Sequence, residues 1–338
     1  MPERTGLVAA GNFIIDHVKM IDAYPEPEML TNIRSQSSSN GGGPYNVLKD
    51  LAKMEAPFPL EAVGLIGQDA HGDWVVADCE EHGIATWGLK RSAAAATSYT
   101  DAMTVVQGGQ RTFFHHRGAN AVFGQADVDL ESSRAKWFYL GYLLLLDQMD
   151  ALDGEGRTEA SRVLERVQAA GMQTVVDFVS VPDERIRSIS AASLPHVNLL
   201  FINEIEAGMV TGGDLRRDGK PNIKAIEEAA SALIEIGVKD AVVIHFQEGA
   251  VVKTRAGEVY RQGAVKVPGS AIVGSTGAGD AFAAGFLYGI HEGWEIPACL
   301  EHAVCAAAIS LGDGTPSEAM RTSSECLAQG RDWGLSVL

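Results

Sequence analysis

Basic residues are scarce in this 338-residue chain, in which 27 lysines and arginines stand against 44 aspartates and glutamates, a formal net charge of -17. A surface of that charge repels phosphate backbones and anionic lipids, so we expect neither nucleic acid nor a membrane as a partner. Long apolar runs are also lacking. The longest, residues 140–146, is far shorter than the roughly 20 residues that cross a bilayer and predicts a buried strand.

Cysteine is rare as well. The chain has only Cys79, Cys299, Cys305 and Cys326. They form no Cys-x-x-Cys pair and no tight Cys/His cluster, which excludes the common zinc-site patterns. Near the N-terminus, Asn12 and Asp16 interrupt the apolar stretch before a signal-peptide core could form. We therefore expect a cytoplasmic protein whose thiols are buried and reduced.

Hydrophobic residues are plentiful at 46%, enough for a large core, and they recur as short apolar runs separated by longer helical patterns. The helical patterns are clearest at residues 157–170 and 223–236. Buried strands are predicted at residues 7–15, 63–66, 137–142, 174–178, 199–202 and 241–246. Such alternation predicts one α/β domain over residues 1–338, a doubly wound and mostly parallel sheet with helices on both faces.

Two stretches, about residues 14–37 and 97–117, break this rhythm. The first has turn-forming prolines at Pro25 and Pro27, and the second has Gly108-Gly109 between two runs of β-type residues, which predicts a hairpin. Together they predict a small β-sheet inserted in the α/β domain as a lid. The hairpin has few charges and carries the apolar residues Met103, Val105, Val106, Phe113 and Phe114. An exposed small sheet of that composition is normally covered, so we expect a homodimer joined through the lids.

The most informative run is Val-Gly-Ser-Thr-Gly-Ala-Gly-Asp-Ala-Phe at residues 273–282, followed by small and apolar residues that predict a buried helix. We call residues 274–279 the anion loop. Its backbone N–H groups at Gly277, Ala278 and Gly279, at a helix N-terminus, suit a phosphoryl group in flight. Asp280 beside them is placed to take the proton of an attacking hydroxyl, although a carboxylate there could also merely cap the helix.

The Thr-Gly-Ala-Gly-Asp-Ala-Phe sequence resembles the C-terminal signature of the ribokinase-like (PfkB) family of sugar and nucleoside kinases. Further motifs of that family follow in its order: Gly-Gly-Gly-Pro-Tyr-Asn at residues 41–46 resembles its glycine motif, and Asn203-Glu-Ile-Glu206 resembles its Asn-x-x-Glu motif. Residues 111–120 resemble its lid strand and the segment after it. The resemblance implies a ribokinase-like three-layer α/β/α fold with the site at the carboxyl ends of the strands, beneath the lid.

The resemblance also implies roles for individual residues. Asp280 would be the catalytic base, and the anion loop would stabilise the phosphoryl group. The acceptor would be bound by Asp16, Gly42, Gly43, Asn46 and Arg117. The nucleotide would contact Asn203, Thr276 and His302, and Glu206 would hold magnesium, often through water. Simpler interpretations remain open: Asn203 and Glu206 could only cap a helix, and His302 could belong to the core.

The chain departs from the family pattern at several positions. Gly274 and Ser275 replace the usual Asp-Thr, so the carboxylate that would bind potassium in cation-activated relatives is missing. In the strand and turn over residues 241–249, where the family often has a Thr-x-Gly motif near the nucleotide, this chain reads Ile244-His245-Phe246. Ile14 replaces a polar residue that ribokinases use for sugar binding, and Asp177 begins Asp-Phe-Val-Ser where many relatives have Asp-x-Asn. These departures leave the acceptor open.

The function that we expect is ATP- and magnesium-dependent phosphorylation of a hydroxymethyl group on a sugar or sugar-like alcohol. A nucleoside kinase of the same fold is an alternative, since Phe113 and Phe114 could stack on a base, whereas Arg117 could bind the carboxylate of a sugar acid. A binding protein without turnover is a third possibility, although binding alone needs no Asp280. No P-loop sequence and no early Gly-x-Gly-x-x-Gly is present.

Overall fold

The computed structural model describes residues 4–107 and 110–338, and the Gly108-Gly109 turn lies outside these residues. The strands and helices follow one another as β1 (Leu7–Gly11), β2 (Ile14–Ile21), β3 (Ile33–Gly41), α1 (Gly43–Lys53), β4 (Leu60–Gly67), α2 (Ala70–Glu81), β5 (Ala85–Ser92), β6 (Ser98–Val105), β7 (Arg111–His116), α3 (Ala119–Val122), β8 (Trp137–Leu143), α4 (Asp147–Asp150), α5 (Glu159–Ala169), β9 (Gln173–Phe178), α6 (Ile186–Ser193), β10 (Leu199–Asn203), α7 (Glu204–Thr211), β11 (Arg216–Arg217), β12 (Lys220–Pro221), α8 (Ile223–Ile236), β13 (Ala241–Phe246), β14 (Gly249–Thr254), β15 (Val259–Gly263), α9 (Ala278–His291), α10 (Ile296–Ser310) and α11 (Ser323–Trp333).

The main sheet of the described residues has nine strands in the order β15-β14-β13-β10-β9-β8-β1-β4-β5. The strands from β13 to β5 are parallel, and β14 and β15 are antiparallel at one edge. Successive side chains of β1 show why both faces are covered. Leu7 and Ala9 pack in one core cluster, and Val8 and Ala10 pack in the other. The doubly wound α/β architecture is therefore confirmed.

The two amphipathic helices expected from the sequence form close to their predicted bounds. Helix α8 spans the predicted residues and buries Ile226 and Leu233. Helix α5 begins after Thr158, whose hydroxyl accepts a hydrogen bond from the Ser161 N–H while the Ser161 hydroxyl accepts one from the Thr158 N–H. This reciprocal cap fixes the helix start, because it satisfies two N–H groups that would otherwise lack partners.

The strand predicted over residues 7–15 is two strands in two sheets. β1 ends at Gly11, whose φ is 124° and where a Cβ would lie 2.0 Å from the carbonyl oxygen of Gly141. Only glycine fits so close to the neighbouring strand. The chain then leaves the main sheet, and β2 begins at Ile14 in a second sheet. This break moves Asp16 out of the main sheet and over its edge.

The second sheet has the strand order β3-β2-β6-β7, and we call it the lid. Its strands come from the two segments that the sequence singled out, except that β3 continues beyond residue 37 into the glycine motif and ends at Gly41. β2 and β6 are parallel and pair Asp16 with Thr100, whereas the outer strands are antiparallel. The smaller sheet predicted as a lid is thus present, and it places the glycine motif beside Asp16.

Strands β5, β14 and β15 were not among those that the sequence predicted. β14 and β15 follow β13 through short turns, so no crossover helix separates them, and the apolar run that marks a parallel strand is shorter there. All four cysteines are buried and unpaired. Among the described residues, no helix has the length and hydrophobicity that a bilayer crossing requires.

Candidate active site

The residues singled out by the sequence gather at the carboxyl ends of the parallel strands. β1 leads to Asn12, β8 ends near Tyr142, β10 ends at Asn203 and β13 ends near His245. In open α/β sheets this edge is where ligands bind, because the loops and helix N-termini converge there. The lid lies at the same edge through Asp16.

The anion loop leads directly into α9. Gly277 precedes the helix with φ 78°, and a Cβ there would lie 2.6 Å from the Cβ of Pro316, so the turn requires glycine. The Ala278 N–H donates to the Ser275 carbonyl oxygen at 3.3 Å. Within residues 4–107 and 110–338, the N–H groups of Gly277 and Gly279 have no such partner. The loop can therefore offer these two donors to an anion, and Ala278 is less available than the sequence suggested.

A cavity of about 530 Å³ lies against this loop, a volume in the range of small-molecule sites. Its lining includes the polar residues Asn203, Glu204 and Ser275. The apolar lining residues include Ile272, Phe282, Val304, Ala307, Ala308 and Leu311. Such a mixed lining suits a ligand that has both an apolar ring and polar groups.

Asp280 is 5% exposed, and each of its carboxylate oxygens accepts one hydrogen bond. The Asn46 amide donates to Oδ2 at 2.8 Å, and the Tyr142 hydroxyl donates to Oδ1 at 2.5 Å. Burial raises the pKa of Asp280 from 3.8 to about 6, and the two donors oppose that rise. The carboxylate is therefore ionised at neutral pH yet basic enough to accept a proton, as a general base must be.

Asn46, on α1, donates a hydrogen bond to the carboxylate of Asp280. The sequence did not suggest this contact. Asn46 Oδ1 accepts from the Asn40 amide at 2.7 Å, while Asn46 Nδ2 donates to Asp280. Asn40 in turn donates to Ser317 Oγ at 2.9 Å. With both ends of its amide engaged and only 3% of its surface exposed, Asn46 orients Asp280.

Asp16 is partly exposed and lies close enough to Asp280 for the two charges to interact. Burial raises its pKa to about 7, the neighbouring Thr100 hydroxyl lowers it, and the charge of Asp280 raises it further. The glycine motif makes room for this carboxyl group: a Cβ on Gly41 would lie 2.6 Å from it. At Gly42, φ is 88° and a Cβ would lie 2.4 Å from the Asn12 carbonyl oxygen.

Gly43 has a similar packing reason. A Cβ there would lie 2.7 Å from the Tyr139 hydroxyl and from Cε1 of Tyr142. The glycines thus allow α1 to approach β8 closely, and this contact brings Asn46 and Tyr142 to the same carboxylate. Their predicted contacts with an acceptor stay predictions.

Asn203 and Glu206 form a capping box at the start of α7. Asn203 Oδ1 accepts from the Glu206 N–H at 2.9 Å, and Glu206 Oε2 accepts from the Asn203 N–H at 3.0 Å. Glu206 Oε1 accepts from Ser180 at 2.7 Å, and the residue is 2% exposed. Each carboxylate oxygen thus accepts one hydrogen bond, and the side chain is held in place at the start of the helix.

Three further predicted site residues lie in different surroundings. The Thr276 hydroxyl is on the anion loop and accepts a hydrogen bond from Arg111. Arg117 donates to Asp147 Oδ1 at 2.6 Å at the border of the lid. His302 is fully buried between α9 and α11, where its ring nitrogens bond the Gly285 carbonyl at 2.8 Å and the Ser323 hydroxyl at 3.0 Å. It does not line the cavity, because its partners hold it in the core.

The sequence did not predict roles for two residues that lie beside Asp280 and the anion loop, Tyr142 and His245. Tyr142 sits in an apolar strand, and only its position at the strand's carboxyl end could have signalled a role. His245 was noted only as a departure from a family pattern. Its Cε1 lies 3.2 Å from where a Cβ on Gly279 would stand, it stacks on Phe282 with ring centroids 5.3 Å apart, and burial lowers its pKa to about 4. It therefore presents a neutral imidazole to the cavity.

Comparison with known proteins agrees with this geometry. The profile described as pfkB family carbohydrate kinase matches residues 4–322. The chain is 23% identical over 325 residues to the 5-dehydro-2-deoxygluconokinase of Shouchella clausii, covering 95% of this chain and 94% of that one. It is 27% identical over 238 residues to an uncharacterized sugar kinase of Archaeoglobus fulgidus, covering 70% of this chain and 85% of that one.

Among solved structures, the chain is similar to Arabidopsis thaliana ribokinase complexed with ribose and ATP, with a TM-score of 0.77 at 20% identity over 97% of this chain and 99% of that one. That similarity concerns the fold. The family profile covers nearly the whole sequence and includes the anion loop, Asp280 and the Asn-x-x-Glu motif. The chain therefore belongs to the PfkB family of carbohydrate kinases, phosphotransferases that use an alcohol group as acceptor.

Proposed function

We propose that this protein transfers the γ-phosphoryl group of ATP, with magnesium, to a hydroxymethyl group of a sugar or sugar-like alcohol. The observation that supports this most directly is the position of Asp280. It stands at the N-terminus of α9, between the anion loop and Asp16, with a pKa of about 6. A base, an anion site and a hydroxyl-binding carboxylate are the three parts that the reaction requires.

In this mechanism the acceptor lies between Asp16 and Asp280, and its hydroxyls donate hydrogen bonds to Asp16. Asp280 takes the proton of the attacking hydroxyl. The new O–P bond forms as the bond between the γ-phosphorus and the β,γ-bridging oxygen breaks, and ADP leaves. The N–H groups of Gly277 and Gly279 stabilise the negative charge on the phosphoryl oxygens.

Magnesium would be bound mainly by the nucleotide phosphates and water, because Mg²⁺ keeps several waters and no all-protein cage is needed. Asn203 and Glu206 would reach it through water. In the residues that the structure describes, no group of three or more His, Cys, Asp or Glu side chains could form such a cage. The ion supplies positive charge to the phosphates when it is bound.

The lid residues His115, Phe113 and Phe114 bear on the choice between a sugar and a nucleoside as the acceptor. His115 Nδ1 bonds the Thr100 hydroxyl at 3.0 Å, and its Nε2 is buried with no hydrogen-bond partner among the described residues. Burial and the nearby Arg117 lower its pKa to about 4. A sugar or sugar acid could supply oxygen atoms to this group. Phe113 and Phe114, the residues suggested for a nucleoside base, are 58% and 56% exposed on the lid's edge strand, so no contact favours a nucleoside.

The test is a screen of hexoses, pentoses, sugar acids, inositols and nucleosides with ATP and magnesium, with ADP release and phosphorylated product both measured. Acceptor-dependent ADP release with a phosphorylated sugar or sugar acid is the expected result. If only nucleosides are phosphorylated, the protein is a nucleoside kinase and the proposed sugar acceptor is wrong. Binding of ATP and a sugar without turnover would instead favour a binding protein.

The pH dependence of kcat/KM tests the base directly. We expect kcat/KM to fall with decreasing pH through about 6 to 7, because protonation of Asp280 removes the base and protonation of Asp16 removes a hydrogen-bond acceptor. Tyr142 stabilises the ionised form of Asp280, so Tyr142→Phe should raise that pKa and shift the acidic limb to higher pH. The Tyr139 hydroxyl donates to Asp177 instead, so Tyr139→Phe is the matched control. An unshifted limb in Tyr142→Phe would contradict this assignment.

We also propose a homodimer joined through the lids. Besides Phe113 and Phe114, the lid and its turns expose Ile33 at 51% and Val106 at 53%. Apolar groups of this size on one small sheet, with the edge strand β7 unpaired on one side in the described structure, favour a covering partner. Sedimentation at micromolar concentration is expected to show a dimer and Phe113→Lys to shift it toward monomer. A monodisperse wild-type monomer would exclude the interface.

The cytoplasmic location stays a prediction. It is supported by the four buried, unpaired thiols.

A further inference from the structure

Helix α1 carries a buried carboxyl group, Asp50, one turn after Asn46. None of its surface is exposed, and within residues 4–107 and 110–338 neither of its carboxyl oxygens has a hydrogen-bond partner. The Ser317 hydroxyl faces it without the geometry of a full hydrogen bond. A buried carboxyl group without partners costs folding free energy, and packing alone does not account for it.

Asp50 stands at the end of a buried chain of hydrogen bonds that leads to Asp280. Its neighbour Ser317 accepts from the Asn40 amide at 2.9 Å, and the same nitrogen donates to Asn46 Oδ1 at 2.7 Å. Asn46 Nδ2 then donates to Asp280 Oδ2 at 2.8 Å. Because Ser317 and the two asparagines are 3% exposed or less, each of their polar atoms needs a partner inside the protein.

The donors and acceptors of this cluster do not balance if Asp50 is ionised. Asn40 Oδ1 is buried and accepts no hydrogen bond from the described residues, so with the two oxygens of Asp50 there are three unpartnered acceptors. The Asn40 amide already donates twice, which leaves the Ser317 hydroxyl as the donor beside Asp50. An ionised Asp50 would add acceptors only, whereas a neutral Asp50 adds an O–H donor.

The charges around Asp50 also favour its neutral form. Burial raises the pKa of Asp50 well above 3.8, and the charge of Asp280 raises it further, whereas the Ser317 hydroxyl and two lysines of α1 lower it. These lysines, Lys49 and Lys53, are engaged by other carboxylates. On α11, burial raises the pKa of the nearby Cys326 thiol to about 11, so this group adds no charge. Asp50 therefore holds its proton at a pH at which Asp280 is ionised.

We propose that Asp50 is a positioning residue for Asp280. Its neutral carboxyl group completes the buried chain and so keeps the amide nitrogen of Asn46 turned toward the carboxylate of Asp280. The opposite orientation would put Asn46 Oδ1 against that carboxylate, and two acceptors repel each other. Because the Asn46 donor lowers the pKa of Asp280, Asp50 acts on the basicity of Asp280 without touching it. The role of Asp280 as the base rests on the proposed function, whereas its hydrogen bond with Asn46 does not.

The experiment compares Asp50→Leu with Asp50→Asn. Leucine offers no hydrogen bond, whereas asparagine is neutral and has both a donor and an acceptor, as a protonated aspartate does. With the acceptor found in the screen, we expect Asp50→Leu to shift the acidic limb of kcat/KM up by about one pH unit, because Asn46 then stabilises ionised Asp280 less. kcat/KM should be roughly tenfold lower on that limb and nearly normal at about pH 9. Asp50→Asn should retain the wild-type limb.

Two smaller substitutions cover the case in which Asp50→Leu does not fold. Ser317→Ala removes the next member of the chain and should shift the limb in the same direction. Ser190→Ala is its matched control, because Ser190 is also fully buried with an unpartnered hydroxyl among the described residues, but lies on α6. It should leave the limb in place. All these variants retain the other titratable groups that interact with Asp280, which are Asp16, Tyr139, Tyr142 and Asp177.

A measurement without turnover separates this inference from the proposed function. Carbon-13 labelling of the aspartate carboxyl groups reports their protonation by NMR, and Asp50→Asn and Asp280→Asn assign the two signals. We expect Asp50 to be protonated at pH 7, and the Asp280 midpoint to rise by about one pH unit in Asp50→Leu and Ser317→Ala. If no acceptor is phosphorylated but these shifts are present, the proposed function fails and the positioning role stands.

Four results would overturn the inference. They are an ionised Asp50 at pH 7, an unshifted Asp280 midpoint in Ser317→Ala, an equal shift in Ser190→Ala, and an Asp50→Asn variant that shifts as far as Asp50→Leu.

Discussion

Replacing Asp280 by asparagine is expected to lower kcat by about 10²–10⁴-fold, the usual contribution of a positioned general base. The amide has the shape of the carboxylate but cannot take the proton of the attacking hydroxyl. One of its two neighbours, Asn46 or Tyr142, will face the amide nitrogen and lose its acceptor. Acceptor affinity should change far less, since Asp16 remains. Steady-state kinetics and acceptor titration measure the two effects separately.

The same substitution should leave the stability of the fold nearly unchanged, because the lost hydrogen bond and the removal of a buried charge have opposite effects. Burial raises the pKa of Asp280 above its unfolded value of 3.8, so at pH 7 the ionised carboxylate costs folding free energy, and the amide removes that cost. Asp150→Asn is the matched control: this acid is also buried, its pKa is about 7, and its Oδ2 accepts from the Leu146 N–H away from the cavity. It should retain kcat. Near-normal turnover in Asp280→Asn would remove Asp280 from the mechanism.

Asp16→Ala is expected to act mainly on the acceptor, with KM rising roughly 10- to 150-fold for each hydrogen bond lost to this carboxylate. kcat should change less, because the base and the anion loop remain. Initial-rate kinetics at saturating ATP measure both quantities. The neighbouring His17 is the control: its Nδ1 bonds Ser38 at 2.8 Å, and successive strand residues face opposite sides, so His17→Ala should keep the acceptor KM. An unchanged KM in Asp16→Ala would place the acceptor elsewhere.

Local motifs explain what the sequence could predict of this site. The anion loop, Asp280 and the Asn203–Glu206 pair are each contained in a few consecutive residues, and the apolar strands follow a simple pattern along the chain. The parallel sheet and the position of the site at its carboxyl edge follow from those patterns. The β1–β2 boundary was missed because its cause lies elsewhere, in the close approach of Gly11 to the next strand.

The features of the site that the sequence did not predict are contacts between segments that are far apart in the chain. Nothing near residue 46 or residue 142 indicates that both side chains will bond the carboxylate of Asp280, and nothing near Arg111 indicates Thr276. His302 shows the opposite error. The family pattern suggested a nucleotide contact, but the Gly285 carbonyl and Ser323 hydroxyl satisfy both ring nitrogens in the core. Side-chain roles of this kind depend on tertiary packing and not on spacing.

The triad of Asn46, Tyr142 and Asp280 has a consequence for the biosynthesis of the enzyme. Asn46 is separated from Asp280 by 234 positions and Tyr142 by 138. The central strand β1 is synthesised first, yet it pairs with β8, about 130 residues later. Pairings over such separations form slowly, because a long loop must close before they contribute. A ribosome-bound chain that has not yet released α9 can thus have its parallel strands and still lack Asp280, the carboxylate that we propose as the base. In the proposed mechanism, the protein therefore gains activity only after α9 has packed against α1 and β8.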